Sequence, residues 1–222
     1  MMKLMKYLLT IICILGQYLY IRCSFKKKYS LGLICKTIAS ISFLIIGLIG
    51  YLAYNLKFNQ YIVLGFIFDL IGDVLLAIRN IVLHDEMFFT GTISFMVGHI
   101  FYVLALASVI NKGFNLCFLI GIVIGIIIYL YFYIKISIPK AFKIIGVIYT
   151  SLLSIIFVLS LCHYINNPIR CNLMFMIGSI LFSLSDYTLI YNCFGKKKWW
   201  MHPLYSFLYY IAQLIIGFSM FV

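Results

Sequence analysis

The sequence predicts an all-α fold, a polytopic bundle of eight transmembrane helices, and three observations carry that prediction. First, 65% of the 222 residues are hydrophobic and only 10% charged, with a mean hydropathy of +1.15; a soluble domain is roughly half apolar and about a quarter charged. Second, the apolar residues are gathered into runs of about the 20 residues that a bilayer-crossing helix needs. Third, no run shows the alternation of a membrane barrel, and backbone groups in lipid must otherwise pair within their own segment. Composition thereby excludes water-soluble globular, disordered, collagen-like and disulfide-rich secreted chains.

Taken in order, the runs fall at 4–21, 33–54, 60–80, 88–110, 114–134, 142–164, 172–194 and 199–221. Lys3 and Lys6 give the first the start of a signal peptide. Tyr18-Leu19-Tyr20-Ile21 stands where a small-residue cleavage site would follow, so this segment is expected to be retained as the first helix. The connections are Lys26-Lys27-Lys28, Asn55 to Asn59, His84-Asp85-Glu86, Asn111-Lys112-Gly113, Pro139-Lys140, Asn166-Asn167-Pro168 and Gly195 to Lys198. Each carries a turn or charge signal, and none is long enough for a second domain. Residues 1–222 are therefore expected to form a single integral membrane domain, with Asp85 and Glu86 solvated in a loop.

The formal net charge is +12, which in a soluble protein would suggest nucleic acid. Here the basic residues fill the gaps between apolar runs, so membrane lipid headgroups are the expected counterpart and nucleic acid is not. Eight spans put both termini on one side, with Lys3, Lys6, Lys57, Lys112 and Arg170. The other twelve basic residues, among them Lys26 to Lys28 and Lys196 to Lys198, lie on the opposite side. The positive-inside rule then places the termini outside and the Lys-rich loops in the cytoplasm, where Trp199 and Trp200 fit an interfacial belt. In a bacterium this would be the cell membrane. The seven cysteines are odd in number, lack a C-x-x-C pair and sit mostly in apolar runs, so they read as small hydrophobic filler. The histidines lie at different depths, and nothing resembles a phosphate loop, nucleophile elbow or haem motif. Neither a metal nor a cofactor is expected.

Three acids lie inside spans. An aspartate at mid-helix costs about 2.5–3.5 kcal/mol on insertion scales, so Asp69, Asp73 and Asp186 are expected to face a cavity or the bundle interior and to act there. The bland alternative is a helix–helix hydrogen bond, or a buried ion pair with Lys36 or His99. At 1.5 Å per residue, Asp73 lies roughly 10 Å below the Lys-rich end of its helix and Asp186 about 12 Å. Lys36 sits roughly 6 Å down, and His99 and Tyr209 about 15–17 Å. One polar pocket opening toward the cytoplasmic leaflet accounts for all of them.

A faint repeat points the same way. Gly65 to Leu76 (GFIFDLIGDVLL) and Gly178 to Leu189 (GSILFSLSDYTL) share Gly-x6-[Gly/Ser]-Asp-x-x-Leu at an offset of 113, and Gly98-His99 matches Ala212-Gln213 at 114. A tandem four-plus-four arrangement about an axis along the membrane normal would set the two aspartates face to face. Phe95, His99 and Tyr102 share one helical face, as do Gly178, Phe182 and Asp186. Gly72, Gly91, Gly98 and Gly178 would let helices approach closely.

These motifs resemble the YhhN-like lysoplasmalogenase family of eight-span membrane proteins. The resemblance rests on Leu70 to Leu76 with Gly72-Asp73, on Gly91 through Phe95 to His99 and Tyr102, on Gly178 to Ser185-Asp186, and on Tyr209 to Ile215 with Gln213. Lys36-Thr37 is similar to the family's Lys-Pro, while Asp69 departs from the small residue more usual there. The resemblance implies a hydrolase of lipid metabolism that cleaves the vinyl ether bond of lysoplasmalogens, releasing a fatty aldehyde and a glycerophospho-ethanolamine or -choline. Its substrate would be a lysophospholipid. Asp73 and Asp186 would be catalytic, with Lys36, Asp69, Gly72, His99, Tyr102, Ser185, Tyr209 and Gln213 binding substrate or orienting the acids. Vinyl ether hydrolysis needs one carboxyl group to donate a proton to carbon and another to steady the cation and activate water; Lys36 could hold the phosphate. The sequence leaves open which acid donates. It also leaves open a different class, a transporter or proton-coupled carrier using the same intramembrane acids.

Overall fold

Eight helices and no strands are present among the described residues of the computed structural model, which are residues 2–221. They are α1 (Met2–Phe25), α2 (Tyr29–Tyr54), α3 (Lys57–Val82), α4 (Asp85–Ala107), α5 (Phe114–Lys135), α6 (Lys140–Asn166), α7 (Arg170–Phe194) and α8 (Met201–Phe218). Seven are long and apolar enough to cross a membrane. The exception is α8, which has 18 residues and spends several of them on His202, Pro203, Gln213 and three tyrosines. The molecule is an integral membrane helical bundle.

Large aliphatic side chains coat its outside, the reverse of a soluble surface. On α1, Leu4, Leu8, Ile11, Leu15 and Leu19 form one exposed stripe; on α5, Leu116, Leu119, Val123, Ile127 and Leu130 form another. Three- and four-residue steps put each set on a single helical face. The opposite face of α1 carries buried Cys13, Gln17 and Tyr20, and Gln17 Nε2 donates to Ser206 Oγ of α8 at 2.6 Å. On α5, Gly121 and Gly125 press against α6 so tightly that a Cβ at Gly121 would stand 2.6 Å from the Ile155 Cα. Only glycine permits that approach.

The packing closes a ring. α2 meets α3, α3 meets α4, α4 meets α6, α6 meets α7, α7 meets α8, and α8 returns to α2; α1 lies outside against α2 and α8, and α5 outside against α6. In α1 and α5 only 22% of the apolar window is buried, against 39–50% in α2, α3, α4, α6 and α7. This order is nearly unchanged when each helix of the first four is exchanged with its counterpart in the last four. The four-plus-four repeat is therefore visible in the packing as well as in the sequence.

Both termini lie at one end. Lys6 Nζ is 3.6 Å from the centroid of the Phe221 ring, and Asn59 Nδ2 donates to the carbonyls of Gly50 and Met220 at 3.2 and 3.1 Å. At the other end His202 packs on Tyr20 with ring centroids 5.5 Å apart, and Trp199 and Trp200 stand exposed just before α8. All seven cysteines are free. The helices run past several expected boundaries. α4 begins at Asp85, so Asp85 and Glu86 form its first turn and not a loop, where acidic side chains complement the helix dipole. α4 also ends at Ala107 rather than 110.

Candidate active site

Asp73 and Lys36 face each other across α3 and α2. Both side chains are under 10% exposed, with Lys36 Nζ 3.0 Å from Asp73 Oδ1. The other carboxylate oxygen accepts from Ser40 Oγ at 2.6 Å and from the Tyr209 hydroxyl at 2.9 Å, and Tyr210 OH stands 3.5 Å away. Ser40 lies one turn beyond Lys36 on α2, so a single helical face supplies both the ammonium and the first hydroxyl. A buried charge is tolerable when paired and hydrogen-bonded, and Asp73 is both.

Asp186 on α7 has different company. The Tyr149 hydroxyl of α6 donates to its Oδ2 at 2.5 Å. His99 Nε2 lies 3.9 Å from the same oxygen, too far for a hydrogen bond. No lysine or arginine pairs with it among the described residues. Neither ring nitrogen of His99 has a hydrogen-bond partner; its ring is boxed by Tyr149 and Phe182, with centroids at 5.1 and 5.0 Å, both edge-on. His99 is thus a buried donor or acceptor one step from Asp186.

Asp69 sits one turn deeper on α3. Its Oδ2 accepts from Tyr102 OH and from Gln213 Nε2, while Oδ1 has no partner. Gly98 of α4 lies directly against it, and a Cβ there would come within 2.6 Å of Oδ1. Asp69, Tyr102 and Gln213 form a sealed knot joining α3, α4 and α8, and line neither of the cavities described next.

Two cavities meet at this centre. The first is lined by Lys36, Asp73, Ser185, Ser206, Tyr209 and Tyr210, together with Asp186 from across the ring. The centre of a water molecule can occupy about 30 Å³ of it, where one water needs roughly 10–15 Å³. The second, with about 60 Å³ of the same space, runs between α4, α5, α6 and α7 and is walled mainly by phenylalanines, leucines and isoleucines, with Thr92, Tyr129, Tyr149 and Thr150 among them. Leu76, Phe95, Asp186 and Leu189 line both and stand between them. Gly72 allows the Phe95 ring to lie on α3, since a Cβ there would meet it at 2.7 Å. Ser185 Oγ donates to the Tyr205 carbonyl at 2.8 Å, tying α7 to α8 beside the polar cavity.

The structure therefore brings Lys36, Asp73, Ser185, Asp186 and Tyr209 together around one space, sets His99 beside Asp186, and gathers Asp69, Tyr102 and Gln213 one layer below. Lys36, expected to hold a phosphate, has its ammonium engaged by Asp73. Sequence reasoning missed Ser40, Tyr149, Ser206 and Tyr210. Tyr149 did carry a signal: the offset of 113 that relates Asp73 to Asp186 and Leu76 to Leu189 also relates Lys36 to Tyr149.

A family model described as the YhhN family matches residues 31–220. No curated protein and no solved structure matches the chain.

Proposed function

The chain belongs to the YhhN family, and from that premise we propose that it hydrolyses the vinyl ether bond of lysoplasmalogens within the bilayer, with Asp186 as proton donor and Asp73 as carboxylate. One observation carries the reading: two acids from different helices, one bound to an ammonium and the other not, line the same water-sized cavity. Ion pairing with Lys36 suits Asp73 to the anionic role, and Asp186, held by a phenol and bordered by an apolar wall, is suited to carry the proton.

The Asp186 proton passes to the alkene carbon nearer the hydrocarbon chain, and the π electrons form the new C–H bond. The carbon bonded to oxygen becomes an oxocarbenium ion, facing the Asp73 carboxylate. Water adds to that carbon and gives up a proton to a carboxylate, leaving a hemiacetal. Its hydroxyl proton and the ether oxygen then depart as the glycerol hydroxyl, and the aldehyde remains. Hydroxyls of Ser40, Tyr209 and Tyr210 hold the Asp73 oxygen in place, and general acid catalysis of this kind contributes about 10²–10⁴-fold. The Lys-rich loops face the cytoplasm in this reading, so substrate enters from the inner leaflet.

The test is aldehyde release by the purified protein from a lysoplasmalogen, compared with Asp73→Asn and Asp186→Asn. Loss of release in both folded variants supports the scheme, and full turnover by either ends it. Flux of a solute across sealed vesicles with no aldehyde formed would favour a carrier instead.

A further inference from the structure

The polar cavity accommodates water and the two acids, which leaves the apolar cavity beside it without a role. We propose that this second cavity is a binding site for the single hydrocarbon chain of a lysolipid, and that the polar cavity receives the glycerol end. The lipid is then bent across the neck formed by Leu76, Phe95, Asp186 and Leu189. The identity of the bond at the neck rests on the hydrolase reading; the chain site itself does not.

The wall chemistry is the first argument. Three of the polar side chains that border the channel spend their protons within the protein: Thr92 Oγ1 donates to the Phe88 carbonyl at 2.8 Å, Thr150 Oγ1 to the Gly146 carbonyl at 2.9 Å, and Tyr149 OH to Asp186; Tyr129 lines it as well. Few polar groups are thus left to hold a polar ligand, and the phenylalanines, leucines and isoleucines that make up most of the wall offer the apolar surface an alkyl chain needs. Shape is the second. From Asp186 to Phe194 the channel follows α7 for roughly 12 Å at 1.5 Å per residue. At the end away from Asp186, on the side of the Lys-rich loops, Phe88, Phe142 and Phe194 close on one another with ring centroids 5.3–5.9 Å apart. Such a slot is long and narrow, suited to one chain.

The repeat supplies the third. Lys36, Asp73 and Leu76 line the polar cavity, and their partners at an offset of 113, Tyr149, Asp186 and Leu189, all line the apolar one. Leu76, Asp186 and Leu189 line both cavities, while Lys36 and Tyr149 line one each and mark corresponding places in the two halves, one polar and the other apolar. A ligand that fills both has to be amphipathic, with its polar-to-apolar junction at the neck. That is where the linkage of a lysolipid chain to its glycerol falls. Asp186, alone of the two acids, borders the chain side as well as the glycerol side, which suits it to reach the carbon at the head of the chain.

The experiment uses the full chain in lipid nanodiscs and a saturated 1-O-alkyl lysophosphocholine bearing a diazirine at the end of its alkyl chain, a probe that has no vinyl ether to hydrolyse. Photolabel on α4, α6 or α7 near Phe88, Phe142 or Phe194, displaced by unlabelled lysolipid, is the expected result. Label confined to the lipid-facing stripes of α1 and α5 overturns the chain site. Alongside it, Ile190→Phe is expected to lower the long-chain to short-chain ratio of kcat/KM by about tenfold or more, with Ile190→Val restoring it; an unchanged ratio in a folded variant counts against the slot. The labelling needs no variant, so misfolding of Ile190→Phe leaves the test intact. Correctly placed label with no aldehyde from the unaltered protein keeps the chain site and removes the hydrolase reading. Aldehyde with misplaced label does the opposite.

Discussion

In the first half of the ring, α2 presents Lys36 to Asp73 on α3; in the second, α6 presents Tyr149 to Asp186 on α7. The four residues are related pairwise by the same offset, and each pair spans adjacent helices at the same place in its repeat. The residue presented at the related position differs, an ammonium against a phenol, and the surroundings differ with it: Ser40 and Tyr209 also bond Asp73, while His99 stands beside Asp186. The two halves deliver their carboxyl groups to one space, and asymmetry then comes from the side chains set around each. Asp73 carries a permanent countercharge, whereas Asp186 is hydrogen-bonded without one. Pairs of acids whose surroundings differ in this way are how one site can hold an acid and a base together.

Making the halves alike is the strongest way to break that contrast. Tyr149→Lys gives Asp186 the partner that Asp73 already has, and aldehyde release is expected to fall by about 10²–10⁴-fold, the usual contribution of a general acid. Retained turnover would show that the neighbour does not divide the roles. Removing one member of the ion pair sharpens the contrast in stability. Asp73→Leu strands the Lys36 ammonium and is expected to cost about 3–5 kcal/mol, with most of the loss returned by adding Lys36→Met. Asp186→Leu strands no charge and should cost distinctly less. Reversible unfolding in mixed micelles measures all three, and equal losses at the two aspartates would contradict the structure.

A smaller effect is expected from Tyr149→Phe, which deletes one hydrogen bond to Asp186. Such bonds in membrane proteins average about 0.6 kcal/mol and reach about 1.7, so the same unfolding assay should register a modest loss. Smallest of all is the Arg79–Asp85 pair, 2.9 Å long with the Asp85 side chain 88% exposed. Asp85→Ala should leave the unfolding midpoint where it is, because exposed ion pairs contribute little.

Most of the architecture was legible because the bilayer leaves few choices. Apolar runs near the spanning length must be helices, and the charges between them mark the ends. Acids inside spans mark an interior, and all three, Asp69, Asp73 and Asp186, are buried. The same faces predicted for Phe95, His99 and Tyr102 and for Gly178, Phe182 and Asp186 turn inward. Partners were harder to see. Tyr149 looks like any tyrosine in an apolar run, and Ser40 like any small residue on a helix, until a neighbouring helix supplies the carboxyl group each one meets. Asp85 and Glu86 were misplaced because acids in a short gap read as loop, although they also favour a helix start.

Helix number, the shared end of the two termini, the depth of the acids and the faint doubling of the chain follow from the order of residues along it. Each depends only on local spacing and on the cost of placing charge in hydrocarbon. Tertiary structure alone decided which aspartate is ion-paired, that Asp69 is buried in a knot with Tyr102 and Gln213, and that Asp186 stands between a cavity with polar walls and one with apolar walls. Those outcomes depend on side chains from helices distant in sequence, and the distances between them are set by packing.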